Sequence, residues 1–281
     1  MKNSILAACA FFASIGLTYG QLTVTNNSDA ADLVSTLLGS GITSVSSETL
    51  VGNAGDFTGG DTVAFTSNDG SITMRNGIVL STGNPEDIDD TNTLSDTSGS
   101  AASVGFGTEG SSLSFSFEAE NDGDIFFNYV FASEEYNEYV NAGFNDGFQL
   151  LLSGGSFSST NLAIVPGTTS TPVEIDSVNN GSFSTFYNDN SASVDPFEMD
   201  GYTDVFTATA SLLAGVTYNM EFVVFDRGDT ILDSAVFIQA GSFSDTEGDP
   251  EIPEPSTVGL LGLAGLAGFT LYRRRKIANK A

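Results

Sequence analysis

Leu113-Ser114-Phe115-Ser116-Phe117 alternates apolar and small polar side chains at every position. A period of two suits an extended strand with one buried face, because a helix would scatter those three apolar residues around its axis. Further runs occur at Ile125 to Phe131, Phe148 to Leu152, Thr217 to Phe225 and Ala235 to Ile238. They are richer in apolar residues and predict strands at the core of a sandwich. Asn76-Gly77, Asn121-Asp122-Gly123-Asp124 and Asn180-Gly181 supply residues that tolerate positive φ and predict turns. One helix is expected over Asp29–Leu38, with Ser28 as its N-cap, Leu33, Val34, Leu37 and Leu38 as its apolar stripe, and Gly39 as its stop. The pattern therefore predicts an all-β fold over residues 22–243: a single, jelly-roll-like β-sandwich with one short N-terminal helix. The 22 Phe suit such a core, which relies on bulky inward side chains.

Charge narrows the chemistry. Between Leu22 and Pro250 the only bases are Arg75 and Arg227, against 34 of the chain's 36 acids. Most carboxylates must therefore be solvated, accept backbone N–H bonds, or meet cations from outside. Such a surface repels phosphate backbones, which argues against nucleic-acid binding. The chain has no His and a single Cys, so His-dependent nucleophile systems, His-ligated zinc and histidine pH switches are excluded.

The two ends read as addresses. Lys2, an apolar run from Ile5 to Leu17 and the small-residue site Thr18-Tyr19-Gly20 before Gln21 have the layout of a signal peptide, residues 1–20. The cleaved bond is expected between Gly20 and Gln21. Leu6-Ala7-Ala8-Cys9 also has the form of a lipoprotein cleavage box, but the apolar stretch before it is short. Cleavage after Gly20 removes the only Cys. At the other end an acidic linker (244–251) leads to Pro253-Glu254-Pro255, an apolar segment (258–272), Arg273-Arg274-Arg275-Lys276 and a tail (277–281). The apolar segment is marginal for a bilayer of ~30 Å, and the basic cluster after it would fix its orientation with the body outside. These three parts, over 252–276, resemble the PEP-CTERM sorting signal of Gram-negative bacteria. The resemblance implies transient inner-membrane insertion through the C-terminal helix. It also implies an exosortase, a membrane protease that cuts near the Pro-Glu-Pro and releases the body outward.

The middle carries a second resemblance. Asn76 to Asn84, Tyr129 to Tyr136 with Glu138-Tyr139-Val140, Gly143 to Phe148, Ala163 to Thr168 and Asp233 to Phe243 together resemble the choice-of-anchor L domain over roughly residues 30–243. That resemblance implies an extracellular bacterial protein bearing one of several alternative anchors. It brings no catalytic residue and no ligand.

Three acidic groups are candidate cation ligands. The first is Glu134, Glu135, Glu138, Asn145 and Asp146, an oxygen-only set of the kind Ca2+ takes. The second is Asp226, Asp229 and Asp233; the third is Glu86-Asp87-Ile88-Asp89-Asp90, which lacks the spacing of an EF-hand loop. Arg227-Gly228-Asp229 matches an integrin-ligand tripeptide, but a tripeptide in a loop is easily chance. The leading expectation is a non-catalytic exported surface or extracellular-matrix protein, processed by exosortase and associated with exopolysaccharide in a biofilm. A calcium-dependent carbohydrate-binding or adhesion module is the alternative, with Tyr136, Tyr139 and Tyr202 as stacking candidates in place of the missing Trp. A glycoside hydrolase with paired carboxylates is more remote.

Overall fold

The computed structural model describes residues 22–59, 64–89, 92–93, 101–193, 195 and 197–248. The expected signal peptide and sorting segment lie outside the described residues. So do all the processing positions expected from the sequence: Gly20 and Gln21 at the first site, and Pro253, Glu254 and Pro255 at the second. In chain order the strands begin with β1 (Thr23–Asn26), β2 (Ile42–Val51), β3 (Asn53–Thr58), β4 (Phe65–Thr66), β5 (Thr73–Met74) and β6 (Asn76–Ser81). Next come β7 (Glu109–Ala119), β8 (Gly123–Ser133), β9 (Gly147–Gly154), β10 (Phe157–Asn161) and β11 (Val173–Glu174). The last are β12 (Tyr187–Asp189), β13 (Gly201–Thr203), β14 (Phe206–Leu212), β15 (Thr217–Asp226) and β16 (Ser234–Gln239). The helix α1 spans Ala30–Leu37.

An eight-stranded sheet has the order β1-β3-β6-β16-β8-β13-β12, with β14 also paired to β8. A six-stranded sheet runs β10-β9-β15-β7-β2, with β11 on β9, and β4 pairs with β5 separately. The pairings are antiparallel, giving an all-β sandwich. The longer strands alternate between the sheets along the chain: β6, β8, β14 and β16 lie in one, β7, β9 and β15 in the other.

Strand parity builds the core. Phe115 and Phe117 of β7, Leu150 and Leu152 of β9, and Phe222 and Val224 of β15 face Phe127, Tyr129 and Phe131 of β8 and Val236 and Ile238 of β16. The intervening residues Val79, Val130, Ala132, Ala235 and Phe237 belong to a second apolar cluster with Val24, Phe57, Phe65, Met74 and Phe197. The eight-stranded sheet is therefore covered on both faces, and β16 is buried at all six positions. In β7 the run from Leu113 to Phe117 keeps the expected alternation, its serines partly exposed and its apolar side chains buried.

The sequence reading and the structure differ in three local places. The N-cap of α1 is Asp29, not Ser28; its carboxylate accepts from the backbone N–H of Ala31 and Asp32. Gly77 is not a turn residue but the second residue of β6, where it has no Cβ to strike the Ile238 carbonyl. The acidic linker expected from residue 244 is tied to the domain: Ser244 exchanges backbone bonds with Phe126, and Asn128 Nδ2 donates to the Gly248 carbonyl.

Candidate functional site

Continuing the strand parity past the last apolar layer leads to the site. In the six-stranded sheet the inward positions are even on β9 and β15 and odd on β7. The next inward positions are Asp146, just ahead of β9, Asp226 at the end of β15, and Glu109 at the start of β7. Register places them in one row: Phe225 pairs with Gly147, so Asp146 stands beside Asp226, and Asp226 pairs with Glu109. In the facing sheet the same parity runs from Phe131 to Ser133 and Glu135, from Val236 to Ser234, and from Leu80 to Thr82. One end of the apolar core thus closes with a layer of carboxylates and hydroxyls.

The layer is dry. Asp146 and Asp226 are fully buried and Glu135 is 1% exposed. Asp146 is well served: Oδ1 accepts from the Arg227 backbone N–H at 2.8 Å and Oδ2 from the Ser234 hydroxyl at 2.8 Å. Glu134 Oε2 accepts from the Asp233 backbone N–H at 2.8 Å, and Asp233 Oδ1 accepts from the Thr82 hydroxyl at 2.8 Å. Asp226 differs, because neither of its carboxylate oxygens has a hydrogen-bond donor, and Glu135 Oε2 also has none. A buried carboxylate without donors is costly unless it is protonated or meets a cation.

The two bases of this region are engaged elsewhere. The Arg227 guanidinium lies 4.8 Å from the centre of the Phe225 ring and 3.7 Å from the Glu174 carboxylate. Arg75 precedes β6 whereas Thr82 follows it, a strand length of roughly 20 Å away. Burial and then the charge of Asp146 hold the Asp226 carboxyl far above the usual range. Asp146 is raised too, by burial against the opposing donation from Arg227 and Ser234. Burial, with the charges of Asp229, Asp226 and Glu134, pushes Glu135 up to about 8. The Asp146 and Asp226 carboxyls lie close enough to share a proton, but with both ionised no bond joins them.

The fold merges two of the sequence candidates. Glu134, Glu135 and Asp146 meet Asp226 and Asp233, because the loops 134–146 and 227–233 both cross between the sheets at this end. Glu138 is exposed and lies apart from the layer. Asn145 braces the first loop instead, donating to Glu174 at 2.6 Å and accepting from the Asp176 backbone N–H at 2.9 Å. In the third candidate Glu86 and Asp89 accept backbone N–H bonds from Asn26 and Val24, so they satisfy the edge of β1. Tyr136 is fully buried, its hydroxyl donating to the Val178 carbonyl, and offers no sugar-stacking face. Gly228, in the Arg-Gly-Asp tripeptide, has φ of 120° and packs so near Phe144 that a Cβ would lie 2.8 Å from its ring. That close approach, with the Arg227–Asp146 and Asp233–Glu134 bonds, joins the two loops.

The donor set is oxygen only, the set hard cations prefer. Among the described residues no three acidic side chains already surround a single point in ligand geometry. Nor, among them, is any helix long and apolar enough to cross a membrane.

The choice-of-anchor L domain matches residues 22–244, most of the chain. The chain belongs to the choice-of-anchor L family. Residues 251–276 match the PEP-CTERM protein-sorting motif, which implies processing by an exosortase, and together the two matches indicate an exported cell-surface protein. No curated protein matches the chain.

In this choice-of-anchor L domain the raised carboxyls set a pH dependence. With divalent ions chelated, the unfolding free energy is expected to fall as pH rises from about 4, where unfolded carboxyls ionise, towards pH 8 and beyond. Across that window the folded state holds protons that the unfolded chain has released, so raising the pH favours unfolding. Urea midpoints in EDTA at pH 5, 7 and 9 should decline in that order; a rising series would show that these groups are ionised in the fold.

Proposed function

We propose that this is a non-catalytic protein of the extracellular matrix, held among exopolysaccharide after exosortase releases it. The observation that carries the reading is the charge distribution: 34 acids against two bases over residues 22–250. Such a body stays hydrated and meets anionic polysaccharide only through shared divalent cations. The geometry of the carboxylates adds support. A glycosidase needs its two carboxyls at a cleft wide enough for a sugar, whereas Asp146 and Asp226 are enclosed at the end of the core. A surface hollow on the outer face of the six-stranded sheet has a volume of about 240 Å³ and is lined by Ser47, Ser114, Ser116, Ser153, Asn219 and Glu221. It presents hydroxyls, one amide and one carboxylate. The aromatic residue in its lining, Phe115, is only 2% exposed because its ring packs into the core, so it offers a sugar no stacking face.

Cell fractionation with intact-mass measurement tests the proposal. The mature chain is expected in the matrix fraction, beginning at Gln21, trimmed near Pro253-Glu254-Pro255, and extractable with EDTA. Replacing those three residues with Ala should leave the precursor with the membrane. Recovery of the mature body free in the medium, indifferent to EDTA, would overturn matrix association. Sustained release of reducing ends from the polysaccharide would overturn the non-catalytic reading.

A further inference from the structure

We propose that Asp226, Asp146 and Glu135 hold one structural Ca2+ that locks the loop 134–146 to the end of β15, where the loop 227–233 begins, at one end of the sandwich. The inference needs only that the domain reaches a calcium-containing medium, and is independent of what the matrix does with it.

Four observations lead to it. Asp226 is fully buried, inward by strand parity, and both of its oxygens lack donors, so it is the one carboxylate here with nothing in the fold to offset its charge. Its register neighbour Asp146 is anchored by two donors, which fixes one ligand while leaving lone pairs to share. Glu135 Oε2 is buried in the same layer without a donor. The two arginines of the domain are placed elsewhere, so an external cation is the available counter-charge.

The chemistry selects the ion. His is absent from the chain, and the single Cys precedes the domain, so soft and borderline metals find no nitrogen or sulfur ligand. The carboxylates do not yet surround one point, so the site closes on the ion by side-chain rotation. Ca2+ accepts irregular cages of 6–8 oxygens at about 2.3–2.6 Å, whereas Mg2+ demands near-octahedral geometry and dehydrates reluctantly. Main-chain carbonyls and water would complete the shell. Affinity should match extracellular modules, about 0.1–1 mM, because two of the three ligands sit on the long loop 134–146 rather than on strands.

The test uses the purified full-length chain, first stripped with EDTA and then given Ca2+ alone at pH 7.5. At about 100-fold over its dissociation constant, Ca2+ should raise Tm by about 5–10 °C, and Mg2+ at equal concentration by much less. Asp226→Asn should abolish the rise and be about as stable as the stripped wild type, since it keeps the shape of a carboxyl whose ionised form the buried layer disfavours. Glu135→Gln should weaken Ca2+ affinity at least several-fold and gives an independent reading if the first variant does not fold. Terbium emission sensitised by tyrosine, with Tyr136 next to Glu135 in sequence, should appear with the wild type, be displaced by Ca2+, and be lost in Asp226→Asn. Glu86→Gln, at the edge of β1, should retain the full shift. Equal Tm in EDTA and in 10 mM Ca2+, or an undiminished shift in both site variants, would overturn the site and leave a proton-sharing carboxyl pair.

Discussion

Replacing Phe243 with alanine is expected to lower the unfolding free energy by about 3–5 kcal/mol. The ring is fully buried. It stacks on Phe127 of β8 at 4.2 Å and meets Phe117 and Phe115 of β7 edge-on at 4.7 and 5.6 Å. It thereby touches both sheets at once, so its loss opens a gap between layers rather than at an edge. The gap cannot easily close, because the backbone on either side is pinned. Phe243 N–H donates to the Leu37 carbonyl and its own carbonyl accepts from Gly39, which fixes the end of α1 to this residue. A cavity that cannot collapse costs the lost contacts in full. Urea denaturation should show a lower midpoint at unchanged slope. Leu213→Ala is the reference: that side chain is 57% exposed and should change stability by no more than about 0.5 kcal/mol. A Phe243→Ala loss as small as the reference would mean that the two sheets can repack without the ring.

The sandwich was legible because its strands carry their own period. Leu113 to Phe117 announced both the strand and its inward face, and β8, β9, β15 and β16 all contain the runs that predicted them. Their pairing was not legible. Asn121-Asp122 looks like a hairpin turn, yet β7 and β8 lie in different sheets, so the connection is an arch across the sandwich. Turn residues report that a chain reverses; they do not report which edge the next strand joins. Burial on both faces of the eight-stranded sheet was partly visible in the unbroken apolar runs, but the covering segments around Phe65, Met74 and Phe197 have no strong period of their own.

The candidate site was half legible for a related reason. Acidic residues near Glu134 and near Asp226 stood out by composition, but their meeting depends on a register between β9 and β15 that no local pattern encodes. A usable signal did exist. Val224 and Phe222 face inward, so the same alternation places Asp226 inward as well, and an acid on the core parity of a strand is a stronger sign of function than an acid in a loop. Glu138 and Asn145 belong to the same acidic stretch but sit where the loop has left strand geometry, so parity says nothing of them.

Gly77→Ala is expected to cost about 3 kcal/mol or more, although the change adds a single methyl. A Cβ at this position would lie 1.9 Å from the Ile238 carbonyl oxygen and 2.9 Å from the Phe57 ring. The first of these is backbone, so no rotamer change relieves it; β6 must move away from β16. That displacement is expensive because of where it occurs. β1, β3 and β6 join the rest of the eight-stranded sheet through the β6–β16 ladder, and Phe57 lies on β3 directly opposite Gly77. Parting the ladder also opens the core on one face and the second apolar cluster on the other, since Ile78 and Val79 belong to different clusters. Gly70→Ala separates this effect from ordinary backbone strain. Gly70 has φ of 71° in open space, so alanine there meets no neighbour and pays only for a left-handed backbone, about 1–2 kcal/mol. Urea denaturation ranks the two variants, and amide hydrogen exchange locates the damage. Gly77→Ala should speed exchange in β1, β3 and β6 before β7, β9 and β15, whereas equal costs for the two alanines would show that the close approach to Ile238 yields without breaking the sheet.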